Sequence, residues 1–145
     1  MSNLVFIDTW GWLALGHHRD AHHQEINALY KELRSGGARI YTTDYVLDEV
    51  MTLIFRREAF EEAVRFMEGI FRAVEAGQLI VERITSDRFA SAYRLRKRLQ
   101  DKPNVSFTDL TSMILMKERG IKDALTEDEH FIQVGMGFRV VSLYS

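Results

Sequence analysis

Four stretches of this chain carry carboxylates in settings where they could do chemistry. Asp8 closes the apolar run Leu4-Val5-Phe6-Ile7. Glu49 sits in Thr43-Asp44-Tyr45-Val46-Leu47-Asp48-Glu49-Val50, and Asp109 ends Ser106-Phe107-Thr108-Asp109. Glu127, Asp128 and Glu129 follow Leu125-Thr126. Carboxylates brought close together repel one another, and they persist only when protonated or neutralised by a cation. The chain has no cysteine, which removes disulfides, zinc–thiolate sites, iron–sulfur clusters and thiol nucleophiles together. Any metal must be held by oxygen or imidazole, and hard oxygen ligands select magnesium or manganese over zinc. Such ions serve phosphate chemistry, where they polarise phosphoryl oxygens and acidify water.

The chemistry requires that these acids meet, so the elements that carry them decide the matter. Leu4–Ile7 has no polar face and reads as a buried strand. Further strands are expected at Arg39–Thr42 after Gly36-Gly37, Leu79–Val81 after Gly77, Ile121–Leu125 after Gly120 and Phe138–Leu143 after Gly137. Between them lie helical stripes. The clearest is Phe60, Ala63, Val64, Met67, Ile70, Phe71 and Val74, with others at Val46–Ile54, Phe89–Leu99 and Leu110–Ile114. Lys117, Arg119 and Gly120 form a helix-stop signal. Strands alternating with helices predict an α/β fold with a mainly parallel five-stranded sheet flanked by helices.

Ligands of open parallel sheets bind beyond the carboxyl ends of the strands. Asp8 and the Thr126–Glu129 stretch follow strands directly. The helix opened by Ser106 leads into the fourth strand and must start at that same edge, which brings Asp109 there. Glu49 lies about one turn into the helix leaving the second strand. Each acid also has a structural explanation. Asp8 could cap a helix beginning at Thr9 or Trp10, and Ser106-x-x-Asp109 has capping-box spacing. Glu49 could be one solvated acid beside Asp44 and Asp48, and Thr126 or Asp128 could cap the next helix. Four independent caps at one sheet edge is the less economical account.

Phe6-Ile7-Asp8-Thr9, Thr43 to Val50, Ser106 to Asp109 and Leu125-Thr126-Glu127-Asp128-Glu129-His130-Phe131 occur in that order. With them, the whole chain resembles PIN-domain proteins of the VapC toxin type. The resemblance implies one PIN-like ribonuclease domain over residues 1–145 and a magnesium- or manganese-dependent endoribonuclease that leaves a 5′-phosphate. It implies a homodimer and a cognate antitoxin protein as partner. It puts Asp8, Glu49, Asp109 and Asp128 on the family's acidic metal-binding positions, with Glu127 or Glu129 as substitutes for Asp128. Thr9, Ser106 and Thr126 are expected to hydrogen-bond and aim these carboxylates. Trp10 and Trp12 depart from the smaller residues usual there and are expected to alter the rim of the site.

The chain has 145 residues, 46% hydrophobic and 28% charged, the composition of one ordered domain. Its net charge of −2 gives no bulk attraction for nucleic acid, so RNA must be met by a local patch or through metal. Arg94, Arg96, Lys97 and Arg98, followed by Lys102, form the candidate RNA-binding cluster; as a bare pattern it also suits a solvated helix face. His17, His18, His22 and His23 include an i, i+4 pair but no completing acid, and read as a solvated loop. No apolar run suits a signal peptide or membrane span, so a cytoplasmic protein is expected. The Met-, Phe- and Val-rich helices offer more apolar surface than one core hides, which also predicts a dimer. A signalling receiver needs paired acids after the first strand, and Thr9 follows Asp8. An aspartate-nucleophile phosphatase needs an acid where Trp10 stands. The remaining alternative is a catalytically silent PIN fold that binds RNA or protein; loss of an acid would favour it, and all four are present.

Overall fold

The computed structural model describes residues 3–126 and 128–141. Five parallel strands form one sheet: β1 (Leu4–Ile7), β2 (Arg39–Thr43), β3 (Ile80–Glu82), β4 (Asp123–Leu125) and β5 (Arg139–Val140), in the spatial order β3-β2-β1-β4-β5. Val5, Phe6 and Ile7 of the central strand are fully buried, as expected of a strand covered on both faces. Phe6 registers with Tyr41 on one side and Ala124 on the other. The chain builds outward from β1 to β3, then returns to β1's other side for β4 and β5. The crevice between β1 and β4 is therefore the point where strand order reverses, the usual ligand position in such sheets.

Among the described residues the helices are α1 (Thr9–Gly16), α2 (His23–Ser35), α3 (Asp44–Arg57), α4 (Phe60–Glu75), α5 (Ser86–Arg98), α6 (Phe107–Arg119) and α7 (His130–Gln133). Their starts are written locally. Asp8, Thr43, Thr85 and Ser106 each cap the following helix by accepting a backbone N–H. Gly120, at φ 69°, ends α6 in the left-handed conformation that glycine adopts without strain. No helix is long and apolar enough to cross a membrane among the described residues.

Two strands, β4 and β5, are shorter than the apolar runs suggest, and β3 is shifted. β3 starts one residue later than expected, β4 begins at Asp123 rather than Ile121, and β5 covers only Arg139–Val140 of the expected Phe138–Leu143. Ser142 and Leu143 lie outside the described residues. Ile121 and Phe138 are buried without joining the ladder, so their apolar character serves packing rather than pairing. Trp12 corrects another expectation. It is 3% exposed, packs against Tyr30, and donates its indole N–H to Thr42 Oγ1 at 3.1 Å. It belongs to the core, not to the rim. Trp10 is half-buried against the His22 ring.

Gly11 shows how tightly α1 sits on the sheet. A Cβ there would lie 2.2 Å from the Leu125 carbonyl oxygen and 2.9 Å from Ile7. Only glycine lets the first turn of α1 close against the ends of β1 and β4, and that turn holds Asp8.

Candidate active site

Asp8 is both a cap and a buried acid. Its Oδ1 accepts the Gly11 N–H at 2.8 Å, and its Oδ2 accepts the Thr126 hydroxyl at 2.8 Å. The side chain bridges the ends of β1 and β4 with only 1% of the residue exposed. Burial pushes its carboxyl up to about 8, helped by the charges of Asp109 and Asp128 and opposed by the two hydrogen bonds.

Asp109 occupies the first turn of α6. Ser106 is the true cap, accepting the Asp109 backbone N–H at 3.0 Å, so the Asp109 carboxyl is not needed to start the helix. That carboxyl is buried and pushed up to about 6, chiefly by burial, then by Asp128, with Glu49 adding to the effect. Ser106 and His130 act in the opposite direction. Glu49, half-buried on α3, thus acts within the field of Asp109.

Asp128 is turned inward by its neighbours. Its N–H donates to Thr126 Oγ1 at 2.9 Å, and its Oδ1 accepts the His130 N–H at 2.9 Å. The single Thr126 hydroxyl therefore donates to Asp8 and accepts from Asp128, locking the two acids together. Glu129 is exposed, which distinguishes it from the inward-turned Asp128; Glu127 lies outside the described residues. His130 joins the group: its Nδ1 lies 3.1 Å from Asp128 Oδ1 and 3.9 Å from Asp109 Oδ2. That buried nitrogen makes no hydrogen bond, and neither does the buried Thr9 hydroxyl.

Ligand atoms of Asp109, Asp128 and His130 all lie within 4.8 Å of one another. The donor set fits a divalent cation. The Asp109 carboxyl, raised by burial and by the charge of Asp128, gains from a positive ion, and an imidazole nitrogen without a hydrogen bond faces the same space. His130 is a candidate ligand that sequence reasoning passed over. It stands in the Leu125–Phe131 motif, and its signal was its spacing of two residues from Asp128.

The expected RNA-binding residues divide. The Arg96 guanidinium donates to the carbonyls of Val105, Leu99 and Lys102 at 2.7–2.8 Å and holds the α5–α6 loop closed. Arg94, Lys97 and Arg98 are exposed. The histidines are not a free loop. His17 and His18 both face Glu58, at 3.4 and 2.8 Å, and their contacts hold that carboxyl below its ordinary range. His23 Nδ1 meets the Ala14 carbonyl at 2.8 Å.

A family model described as PIN domain matches residues 5–136. The chain belongs to the PIN-domain family. A curated relative, the 23S rRNA-specific endonuclease VapC20 of Mycobacterium tuberculosis, is 32% identical over 133 residues, covering 91% of this chain and 95% of the relative. The crystal structure of Mycobacterium tuberculosis VapC20, described as a sarcin-ricin loop cleaving toxin, matches with a TM-score of 0.78 and 30% identity. That match covers 95% of this chain and 98% of the other. DNA-bound VapBC from Salmonella typhimurium matches at a TM-score of 0.69 over 94% and 96% of the two chains, at 16% identity, which establishes the shared fold. In this PIN domain the crevice between β1 and β4 is thus where the acids of three separate segments meet.

Proposed function

We propose that this PIN domain, spanning the chain, is a divalent-metal-dependent endoribonuclease and the toxin of a toxin–antitoxin pair acting in the cytoplasm. The observation that carries the reading is the joint pocket of Asp8, Asp109 and Asp128, in which burial and the neighbouring acidic charges raise the carboxyls of Asp8 and Asp109 well above the ordinary range. Such a pocket is costly without a cation and is a recognised form of functional site. Asp109, Asp128 and His130 would hold magnesium or manganese, with Asp8 and Glu49 supplying further negative charge. A bound ion supplies Lewis-acid polarisation of the phosphoryl oxygens and acidification of water.

The chain's own residues do the positioning. Thr126 fixes Asp8 relative to Asp128, Ser106 fixes the first turn that carries Asp109, and Gly11 lets Asp8 approach β4. Asp128 and His130 form the more open side of the pocket, where a phosphodiester can approach. The reading extends to an RNA substrate, which is what VapC20 cuts by its description, and to an antitoxin protein as partner. It also extends to a homodimer. Phe60 is 72% exposed and stacks on Phe55, itself 36% exposed, leaving an apolar face of α3 and α4 open.

The test is RNA cleavage with magnesium or manganese, with and without chelator. We expect cleavage that stops in excess EDTA and returns with added metal. Full cleavage in EDTA would refute the metal-dependent mechanism, and RNA binding without cleavage in any metal would favour the silent-module alternative.

A further inference from the structure

Outside the acidic pocket, three of the candidate RNA-binding residues, Arg94, Lys97 and Arg98, line a groove of about 490 Å³ between α5 and α6. Arg94, Lys97, Arg98 and Lys117 wall it, over a floor that includes Ile114 and Met136. Several basic side chains elsewhere have acidic partners. Arg88 pairs with Glu118 and Glu82, Arg119 with Glu82, Arg139 with Asp123, and Lys102 with Asp101. Among the described residues, no carboxylate pairs with any of the four groove cations. Arg94 donates to Ser91, and Lys97 lies over the Tyr93 ring. In a chain of net charge −2, four cations gathered without counter-charge concentrate a positive field that suits a polyanion.

The segments that wall the groove continue toward the acids. A second cleft, of about 340 Å³, is bordered by Lys102 and Asn104 on one wall and by His130 and Gln133 on the other. His130 belongs to the acidic cluster. The end of α5 lines the groove and the loop that follows it lines the cleft, while Met136 lines the groove and His130 and Gln133 line the cleft. Along α6, Asp109 and Lys117 are ~12 Å apart at 1.5 Å per residue, a separation that a few nucleotides of backbone span.

Resting on the ribonuclease reading, we propose that this groove is an extended subsite for the RNA backbone. The strand leaves the acidic pocket past His130 and Gln133, and its phosphates, several positions from the scissile one, are held by Arg94, Lys97, Arg98 and Lys117. Phosphate contacts of this kind position a substrate without reading its bases. The groove therefore sets how long an RNA must be for tight binding, while sequence choice lies elsewhere.

The test compares the parent with a double variant, Lys97→Gln with Lys117→Gln, using Lys31→Gln on α2 as a charge control. Both groove lysines are exposed, so the fold is retained. Binding of fluorescent 20-nucleotide single-stranded and hairpin RNAs is followed by anisotropy in EDTA, which removes any dependence on cleavage. We expect roughly tenfold weaker binding by the double variant and a salt slope shallower by about 1.4, with the control unchanged. In magnesium or manganese, KM for the long RNAs should rise with kcat little altered, while cleavage of a tetranucleotide stays the same. Unchanged binding and salt slope would overturn the groove assignment, as would equal losses on short and long RNA. Parent protein that binds RNA through the groove but cuts none would count against the ribonuclease reading and leave the subsite standing.

Discussion

Replacing Asp109 by asparagine separates a helix-start role from a metal-site role. The substitution keeps side-chain size and removes one negative charge from the shared pocket. A carboxyl raised from 3.8 to about 6 corresponds to roughly 3 kcal/mol of cost to the folded state once the group is ionised. The variant loses some favourable interaction with the α6 N-terminus, worth up to about 1 kcal/mol, so the net gain at pH 8 is about 2 kcal/mol. For a chain of this size that is roughly 4–8 °C in Tm. The sign follows from proton linkage. Between about pH 4 and 6 the native parent still holds the proton that the unfolded chain has released, so parental stability falls as pH rises through that window. Below pH 4 both states are protonated and the advantage of the variant disappears. The assay is a set of thermal melts in EDTA at pH 4, 6 and 8, repeated with magnesium, beside an RNA cleavage assay. Magnesium at 100 times its Kd should stabilise the parent by about 2.7 kcal/mol and the variant by much less, and the variant should not cut RNA. An Asp109→Asn protein with normal cleavage, the parent's magnesium shift and no gain at pH 8 would show that Asp109 is a structural residue only.

Thr126→Val preserves shape but leaves Asp8 Oδ2 and the Asp128 N–H without their shared hydroxyl. We expect a loss of about 1–3 kcal/mol in Tm measurements and 10- to 100-fold weaker metal binding or activity by titration; unchanged activity would refute the locking role. Gly11→Ala drives a methyl into the Leu125 carbonyl, which is backbone and cannot swing aside. Denaturant unfolding should show a loss of about 3 kcal/mol or more, and a loss under 1 kcal/mol would show that α1 has room to move. Light scattering should give twice the 16.9 kDa chain mass, and Phe60→Asp should shift it toward the single chain; a 17 kDa parent at micromolar concentration would refute the dimer.

Several features of the site were legible because they are local. Asp8 and Ser106 each stand immediately before a helix, and a capping side chain reaches only two or three residues onward. The order of apolar runs and helical stripes implied a parallel sheet, and a parallel sheet brings the ends of its strands to one edge. From that alone Asp8, Asp109 and the Thr126–Glu129 stretch could be placed together. Helix α2, with its buried stripe Ile26, Leu29 and Leu33, was not among the expected helices, and the histidines before it read as a loop.

Tertiary structure decided what depends on direction and burial. Sequence leaves Asp128 and Glu129 nearly equivalent, whereas the hydroxyl of Thr126 turns one inward and the next remains exposed. The same turn brings His130 back toward Asp109, a contact between α7 and α6 that no local pattern encodes. Arg96 and Lys97 are adjacent cations of similar helix preference. Yet one is bound to three loop carbonyls and the other is left in an open groove, because successive helical residues point about 100° apart. Trp12 likewise became core through Thr42 and Tyr30, partners from β2 and α2. The raised carboxyls of Asp8 and Asp109 are also a tertiary property. A carboxylate's identity is written in the sequence, but its proton affinity is set by the burial and the neighbouring charges that only the assembled sheet edge supplies.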